Sequence, residues 1–373
     1  MKTYKQDNMK HLFNYEWTLK DANFTKDKGT VFSCFACGGG STMGYKLAGF
    51  DVIGCNEIDP KMIEAYRTNH NPKYSYLEPI QEFKNRDDLP EELFNLDILD
   101  GSPPCSSFST VGNREEDWGK DKKFKEGQQK QVLDTLFFDF LDLGEKLQPK
   151  VIIAENVKGM LMGAAQKYVD KVLTRFDEIG YYVDFKLLNA SKMGVPQRRE
   201  RVFFYAIRKD LYNGGFEDLF GTRPILDLEF NESEIPFKAI KSDGIDRPLP
   251  PGVMRIFDEK LRSESCMGET KERVDGKRGF FSTMYQDDNK PIYTITSNSH
   301  DGASTEPGRW LNDIELLKGS SFPLDYNFLK TPIKYLCGMS VPPLMTAQIA
   351  TRVYNEWLNK MPKVNAAEKE NER

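Results

Sequence analysis

The chain has 373 residues, with 39% hydrophobic and 29% charged side chains and a formal net charge of −5. That is room for one large domain and a smaller one, and the acidic balance argues against a protein that coats nucleic acid non-specifically. No apolar run reaches the ~20 residues of a membrane span, and the first residues lack the apolar core of a secretory signal. Six cysteines, at 34, 37, 55, 105, 266 and 337, form no disulfide framework, so a reducing compartment is expected. Cys34 and Cys37 make a C-x-x-C, but with no second pair or nearby His a zinc site is not expected.

Residues 1–28 are polar with scattered aromatics, Phe13, Tyr15 and Trp17, and read as a short helix packed on the main domain or as an ordered arm. Residues 30–44, TVFSCFACGGGSTMG, read as a strand running into a glycine turn, with a helix starting near Ser41 or Thr42. Such a turn lets a ligand approach the backbone and offers free N–H groups. The next strand, Phe50 to Cys55, ends in Asn56-Glu57, and Glu57 lies 18 residues after Gly39. An acid near that spacing suits the ribose hydroxyls of a nucleoside cofactor. The alternative is a cap on the helix expected over Pro60 to His70.

Residues 74–83 read as a third short β run, and Leu96 to Leu99 as a buried strand. Gly101 opens a turn that Pro103-Pro104 stiffen, and Cys105 follows among Ser106, Ser107 and Ser109. A free cysteine is often a small buried hydrophobe; here it sits on a rigid loop at a strand's carboxyl end, where α/β sheets bind ligands. Residues 112–130 read as a surface loop that could close over a substrate. A core helix is expected over 131–147, then a strand, Val151 to Ala154, ending in Glu155-Asn156-Val157. Glu155 reads equally as a proton-holding carboxylate or as a cap or buried ion pair.

An amphipathic helix over 164–179 precedes a hairpin of Tyr181 to Leu188 and Val202 to Ile207. Arg198, Arg199 and Arg201 stand at its approach, as a surface patch or as ligands for phosphate and base oxygens. Residues 209 to about 288 lose the β-α rhythm and read as a smaller domain with a basic stretch, Lys271 to Arg278. Residues 290–297, KPIYTITS, return to β character. A last helix presents Ala347, Ala350, Val353, Tyr354, Trp357 and Leu358 to the first domain's core, and the tail from 362 is polar.

In this order the motifs resemble the cytosine-5 DNA methyltransferases, which use S-adenosylmethionine. The resemblance runs from about Val31 to Leu358 through FACGGGSTMG, Asn56-Glu57, GSPPCSSFS, AENV at 154–157, QRRER at 197–201, PIYTI and GMSVPP. It implies a Rossmann-like α/β methyltransferase fold: catalytic residues 29–208, a target recognition domain at 209–289, and 290–361 returning to the catalytic part. Cys105 would be the nucleophile and Glu155 would hold the cytosine's N3 edge. Arg201 would hold its O2, and Arg199 would support the same site. Phe35, Cys37, Gly38, Gly39, Glu57, Ile58, Ile80, Asp97, Ser340 and Val341 would bind S-adenosylmethionine, and no metal is implied.

The implied reaction is methylation at C5 of a flipped-out cytosine in a specific duplex sequence, through a covalent bond from Cys105 to C6. The expectation is a cytoplasmic bacterial or phage-encoded monomer on double-stranded DNA, without a membrane, and with room for a cognate restriction endonuclease. The chain departs from the family at Cys37 (usually Gly), Met339 (usually Asn), Ser106 (often Gln) and Pro79, where an Asp that contacts adenine is usual and Glu78 is the neighbour. A transfer RNA cytosine-5 methyltransferase shares the fold and the cysteine chemistry. A non-catalytic relative would not need Cys105, Glu155 and Arg201 together. A Cys-His hydrolase needs a His base, and His11, His70 and His300 lie outside these motifs.

Overall fold

The computed structural model describes residues 11–104, 135–211, 226–243, 247–279, 283–297, 303–304 and 308–361. Cys105 and the expected loop at 112–130 lie outside them, as do His300 and the tail.

The chain opens with alternating strands and helices: β1 (Thr30–Cys34), α1 (Gly40–Leu47), β2 (Asp51–Glu57), α2 (Pro60–His70), β3 (Tyr74–Leu77), α3 (Ile80–Phe83), β4 (Ile98–Gly101), α4 (Leu136–Leu147), β5 (Val151–Val157) and α5 (Gln166–Glu178). A hairpin follows, β6 (Tyr181–Asn189) and β7 (Glu200–Arg208). The seven strands form one sheet in the order β3-β2-β1-β4-β5-β7-β6. Strands β1 to β5 are parallel, and β7 runs antiparallel to both neighbours.

The period-2 side-chain alternation of strands splits the core into two layers. Phe32, Leu99 and Ile152 face α4 and α5 in one cluster. Their neighbours Val31, Ile98, Val151 and Ile153 face the other way, towards Tyr45 of α1. Each large side chain buried this way contributes about 1.5–3 kcal/mol. This is a Rossmann-like doubly wound sheet. Its order reverses between β1 and β4, so a crevice opens at their carboxyl ends.

Helix α2 spans the expected residues because its ends are marked. The Asp59 carboxylate accepts from the backbone N–H of Lys61 and Met62, Pro60 sits in the first turn, and Asn71 turns left-handed at the close. Two expectations shift. The β run at 74–83 stops at Leu77, because Pro79 starts a short helix that buries Ile80 and Phe83. The strand expected at Leu96 to Leu99 runs instead from Ile98 to Gly101, ending on a buried acid, Asp100.

Beyond β7 come α6 (Phe237–Ile240), α7 (Pro251–Asp258), α8 (Met267–Asp275), β8 (Tyr285–Gln286), β9 (Ala303–Ser304), β10 (Arg309–Trp310), α9 (Asp313–Gly319), α10 (Ile333–Met339) and α11 (Pro343–Glu356). The segment expected as a separate unit at 209–289 divides. Leu226 and Leu228 join the main core with β7, and Phe237 and Ile240 pack with Ile292 and Leu316. A smaller cluster forms from Leu249, Ile256, Phe257, Met267 and Tyr285, with Trp310 of β10. Strand β10 pairs with β9, and β9 with β8, so the small unit draws on chain beyond 290. The basic stretch at 271–278 lies in and after α8, with Lys271, Arg273 and Arg278 engaged by Asp275, Glu264 and Glu272.

Helix α11 buries Ala347, Ala350 and Val353, with Trp357 beyond its end, in the β1–α1 layer. The N-terminal residues described form an arm rather than a helix. Phe13, Tyr15 and Trp17 pack on the core, and the Trp17 indole donates to the Ser321 carbonyl at 2.9 Å.

Candidate active site

A cleft opens at the carboxyl ends of β1, β2 and β4. Phe35, Ile58, Met62 and Ile80 give it apolar walls, Glu57 and Glu78 bring carboxylates, and Ser102 and Pro104 come from the loop after β4. Tyr335, Met339 and Leu136 close it from the C-terminal and α4 sides.

Glu57 is fixed by three backbone donors. Its Oε2 accepts from Cys37 N–H at 2.7 Å, and its Oε1 from Ile58 and Asp59 N–H at 2.8 and 2.9 Å. Burial raises its carboxyl above the usual range, and the three hydrogen bonds hold the charge against that rise. The cap reading belongs to Asp59, which holds the start of α2. Glu57 instead ties the end of β2 to the turn after β1, with one oxygen still able to accept from a ligand hydroxyl.

The glycine turn is shaped by the protein's own packing. Gly39 has φ +85°, and a Cβ there would come 2.2 Å from His70 Nε2. A Cβ on Gly40 would meet the Val341 carbonyl at 2.3 Å, and one on Gly38 the Leu336 side chain at 2.7 Å. The turn therefore requires glycine for the protein's own packing at these positions. Gly38 leaves room for Leu336 and Gly39 for His70, and Gly40 lets the segment around Ser340 and Val341 press against the turn. Val341 is core rather than cleft, 5% exposed. Ser340 is buried too, 3% exposed, and its hydroxyl meets Cys37 Sγ, a cleft-lining group, at 3.7 Å.

Cys37 takes φ +48°, a left-handed conformation that costs a side-chain-bearing residue of order 1–2 kcal/mol. Its sulfur packs 3.6 Å from Met62 Sδ, and burial pushes its thiol up to about 12, so it is a packing group. Among the described residues, no group of three or more His, Cys, Asp or Glu is arranged to hold a metal.

Asp97 is not at the cleft, and the assignment to the cofactor is corrected. It precedes β4, at the opposite end of the strand. There its carboxylate accepts from Thr30 N–H at 2.7 Å and pairs with Lys150 at 2.6 Å. The acid at the cleft end of β4 is Asp100, which the sequence reading passed over. Its only sequence signal is a charge closing an apolar run.

Glu155 near the end of β5 and Arg201 near the start of β7 meet at 2.9 Å between Oε1 and Nε, with side chains 13% and 16% exposed. Beside them, Asn156 is buried and donates through Nδ2 to the Pro103 carbonyl at 3.1 Å. The backbone leading into Cys105 is thus held to the strand that carries Glu155. Arg199 does not share this opening. It is 2% exposed and donates to the carbonyls of Ile295, Gly338 and Ser340, each at 3.0 Å. Burial, then the neighbouring Arg201 charge, pushes its guanidinium down to about 9. It is a strut joining three distant segments, not a group facing a substrate. Arg198 stacks its guanidinium 4.3 Å from the Tyr293 ring centroid.

Of the departures, Met339 lines the cleft and Pro79 caps α3. Glu78 lines the cleft and is held by Arg86 at 3.3 Å. Neither described histidine reaches the Glu155–Arg201 pair: His11 binds Glu232, and His70 is buried against the Gly38 carbonyl.

The comparisons agree with this geometry. Residues 29–355 match the family described as C-5 cytosine-specific DNA methylase. Type II methyltransferase M.FnuDI of Fusobacterium nucleatum is 31% identical over 72% of this chain and 70% of its own. Type II methyltransferase M.NgoFVII of Neisseria gonorrhoeae is 26% identical over 94% and 93%. Among solved structures, an E. coli prophage protein described as a DNA modification methyltransferase shares the fold with a TM-score of 0.62. It is 20% identical, covering 89% of this chain and 99% of that one. With the family match spanning catalytic strands, cleft and α11, the chain belongs to the C-5 cytosine-specific DNA methylase family, the DNA cytosine-5 methyltransferases.

Proposed function

We propose that this DNA cytosine-5 methyltransferase works through a covalent bond from Cys105 to C6 of a cytosine flipped out of duplex DNA. The observation that carries the reading is the Glu155–Arg201 pair, one residue from the Asn156 hydrogen bond that holds Pro103. Cytosine C5 is a poor nucleophile while the ring is aromatic. Addition of the Cys105 thiolate at C6 makes C5 enamine-like. Glu155 holds the N3 edge and shares the proton that balances the charge growing on the ring, and Arg201 holds both O2 and the Glu155 carboxylate in place. Once C5 carries the methyl group, its proton passes to solvent, the C5–H electron pair re-forms the C5=C6 bond, and the C6–S bond breaks to release the thiolate. A stacked base presents none of these atoms, so the base must leave the helix.

The cleft fits S-adenosylmethionine. Apolar walls at Phe35, Ile58, Met62 and Ile80 suit a purine ring, and Glu57, oriented by three N–H groups, suits ribose hydroxyls. When bound, the cofactor supplies the electrophilic methyl group that C5 takes up. Cys37 lines the cleft, while Gly38, Gly39, Ser340 and Val341 support it by packing. We place target recognition in the small unit of α7, α8 and β8–β10, on a catalytic part built from the rest. No helix among the described residues is long and apolar enough to cross a membrane. The type II relatives make a cognate restriction endonuclease a partner to test.

The test uses tritiated S-adenosylmethionine with mixed-sequence duplex DNA and, separately, bulk transfer RNA, each product digested to nucleosides. Label in 5-methyldeoxycytidine from DNA alone is the expected result. Label in 5-methylcytidine from RNA alone would replace this reading with RNA methylation.

A further inference from the structure

Asp100 is a buried carboxylate at the end of β4, 4% exposed. Its Oδ2 accepts from Ser33 Oγ at 2.8 Å and its Oδ1 from the Tyr45 hydroxyl at 3.1 Å. The Ser41 hydroxyl faces it from the first turn of α1. The ionisable groups around it carry no positive charge: Cys34 on β1, Tyr45 on α1, Tyr66 on α2 and Glu155 on β5. Glu155 is already matched by Arg201. Among the described residues no cationic side chain pairs with Asp100, and burying an unpaired charge is costly. Burial raises its carboxyl to about 6, against the pull of the three hydroxyls.

Its place in the sheet says what the charge can act on. Strands β1 and β4 pair at Ser33 and Asp100. Two residues further along, Phe35 and Ser102 line the cleft. At ~3.3 Å per residue of strand, the backbone of Asp100 lies within roughly 7 Å of those cleft-lining residues.

Resting on the cofactor reading above, we infer that Asp100 is the buried counter-charge that favours the cationic cofactor, S-adenosylmethionine, over its neutral-sulfur product, S-adenosylhomocysteine. The two ligands differ by one methyl group and one positive charge. At an effective dielectric of ~20 and ~10 Å, a unit charge pair is worth on the order of tenfold in affinity. A proton on Asp100 competes with the ligand's charge. Preference for the cation therefore disappears below the Asp100 titration and is full above it. Base, ribose and amino-acid parts are common to both ligands, so the hydrogen bonding of Glu57 to the ribose cancels in the ratio. Any response of Glu57 to the sulfonium charge persists in Asp100→Asn, and the Asp100 contribution is the difference between the two proteins. Asp100 is a positioning charge and touches neither ligand.

The experiment is calorimetric titration of the full chain with each ligand, from about pH 5 to about pH 7.5, a range that brackets a raised carboxyl. The expected affinity ratio rises on the order of tenfold across that range, and most of that rise is lost in Asp100→Asn. Titrations in two buffers of different ionisation enthalpy read the same linkage as proton release. Near pH 6, S-adenosylmethionine should release more protons than S-adenosylhomocysteine, and Asp100→Asn should lose most of that excess. A flat ratio in the unmodified chain, equal proton release, or an unchanged pH-dependent ratio in Asp100→Asn overturns the inference and leaves the cofactor site standing. Failure of both ligands to bind overturns the cofactor site and the inference with it.

Discussion

Arg201 Nε and Glu155 Oε1 stand 2.9 Å apart across the antiparallel β5–β7 pair, and both side chains are mostly buried at the sheet end that leads to the cysteine loop. The pairing keeps Glu155 oriented before any base arrives. Glu155→Gln keeps the shape and removes the proton-sharing charge, so the single-turnover methylation rate should fall about 10²–10⁴-fold. Arg201→Ala should lower the rate by about 10²-fold or more. Neither should change S-adenosylmethionine affinity more than about twofold, since the pair does not line the cofactor cleft. A rate within threefold of wild type in Glu155→Gln would remove it from the chemistry.

Asn156 ties β5 to the backbone two residues before Cys105, so on the proposed mechanism its removal acts on the placement of the nucleophile. Asn156→Ala deletes its bond to the Pro103 carbonyl, a loss of about 1 kcal/mol in stability. Small misplacement of a nucleophile is expensive, so turnover should fall by about 10²-fold with cofactor affinity kept. If affinity and turnover fall together, the bond supports the cleft as a whole and not the loop.

Glu57→Ala should weaken S-adenosylmethionine binding by about 10²-fold. It removes the ribose acceptor and leaves the Cys37, Ile58 and Asp59 N–H groups without their partner. Isothermal titration reads the effect directly, and an unchanged dissociation constant would take Glu57 out of the ribose role.

His70 gives the fold an acid-sensitive element. It is packed edge-on to Tyr66 with Nε2 on the Gly38 carbonyl, and burial pushes its imidazole down to about 3. An unfolded histidine takes up its proton near pH ~6.5, so between there and about 3 the unfolded chain holds the extra proton. The stabilising contribution is complete above about pH 6.5 and is lost progressively as pH falls. His70→Phe keeps a ring, and the Gly38 carbonyl keeps the Tyr326 hydroxyl at 2.5 Å. The melting temperature of wild type should fall more steeply from about pH 7 to about pH 5 than that of the variant. Parallel slopes would assign the acid limb to another group.

What the sequence made legible was local. Asp59-Pro60 and Asn71 mark both ends of α2, and Glu57 and Glu155 close apolar strands, so their places could be read. What it hid depends on distant partners. Nothing local singles out Asp100, because its hydroxyl donors come from β1 and α1. Asp97, three residues earlier, looked the better site acid until the strand proved to start at Ile98. Arg199 reads as a ligand-binding arginine, but its carbonyl partners lie 96 to 141 residues away. The small unit could not be bounded by composition, because β9 and β10 return to β8 from beyond residue 290.

The most direct test of the covalent reading is peptide mass spectrometry after incubation with S-adenosylmethionine and duplex DNA in which the target cytosine carries fluorine at C5. Fluorine cannot leave as a proton, so the enzyme should stop with the base attached. The account predicts a denaturation-resistant complex whose adduct maps to Cys105 and is absent in Cys105→Ser. Methylation of ordinary DNA with no adduct, or an adduct on another cysteine, would contradict it.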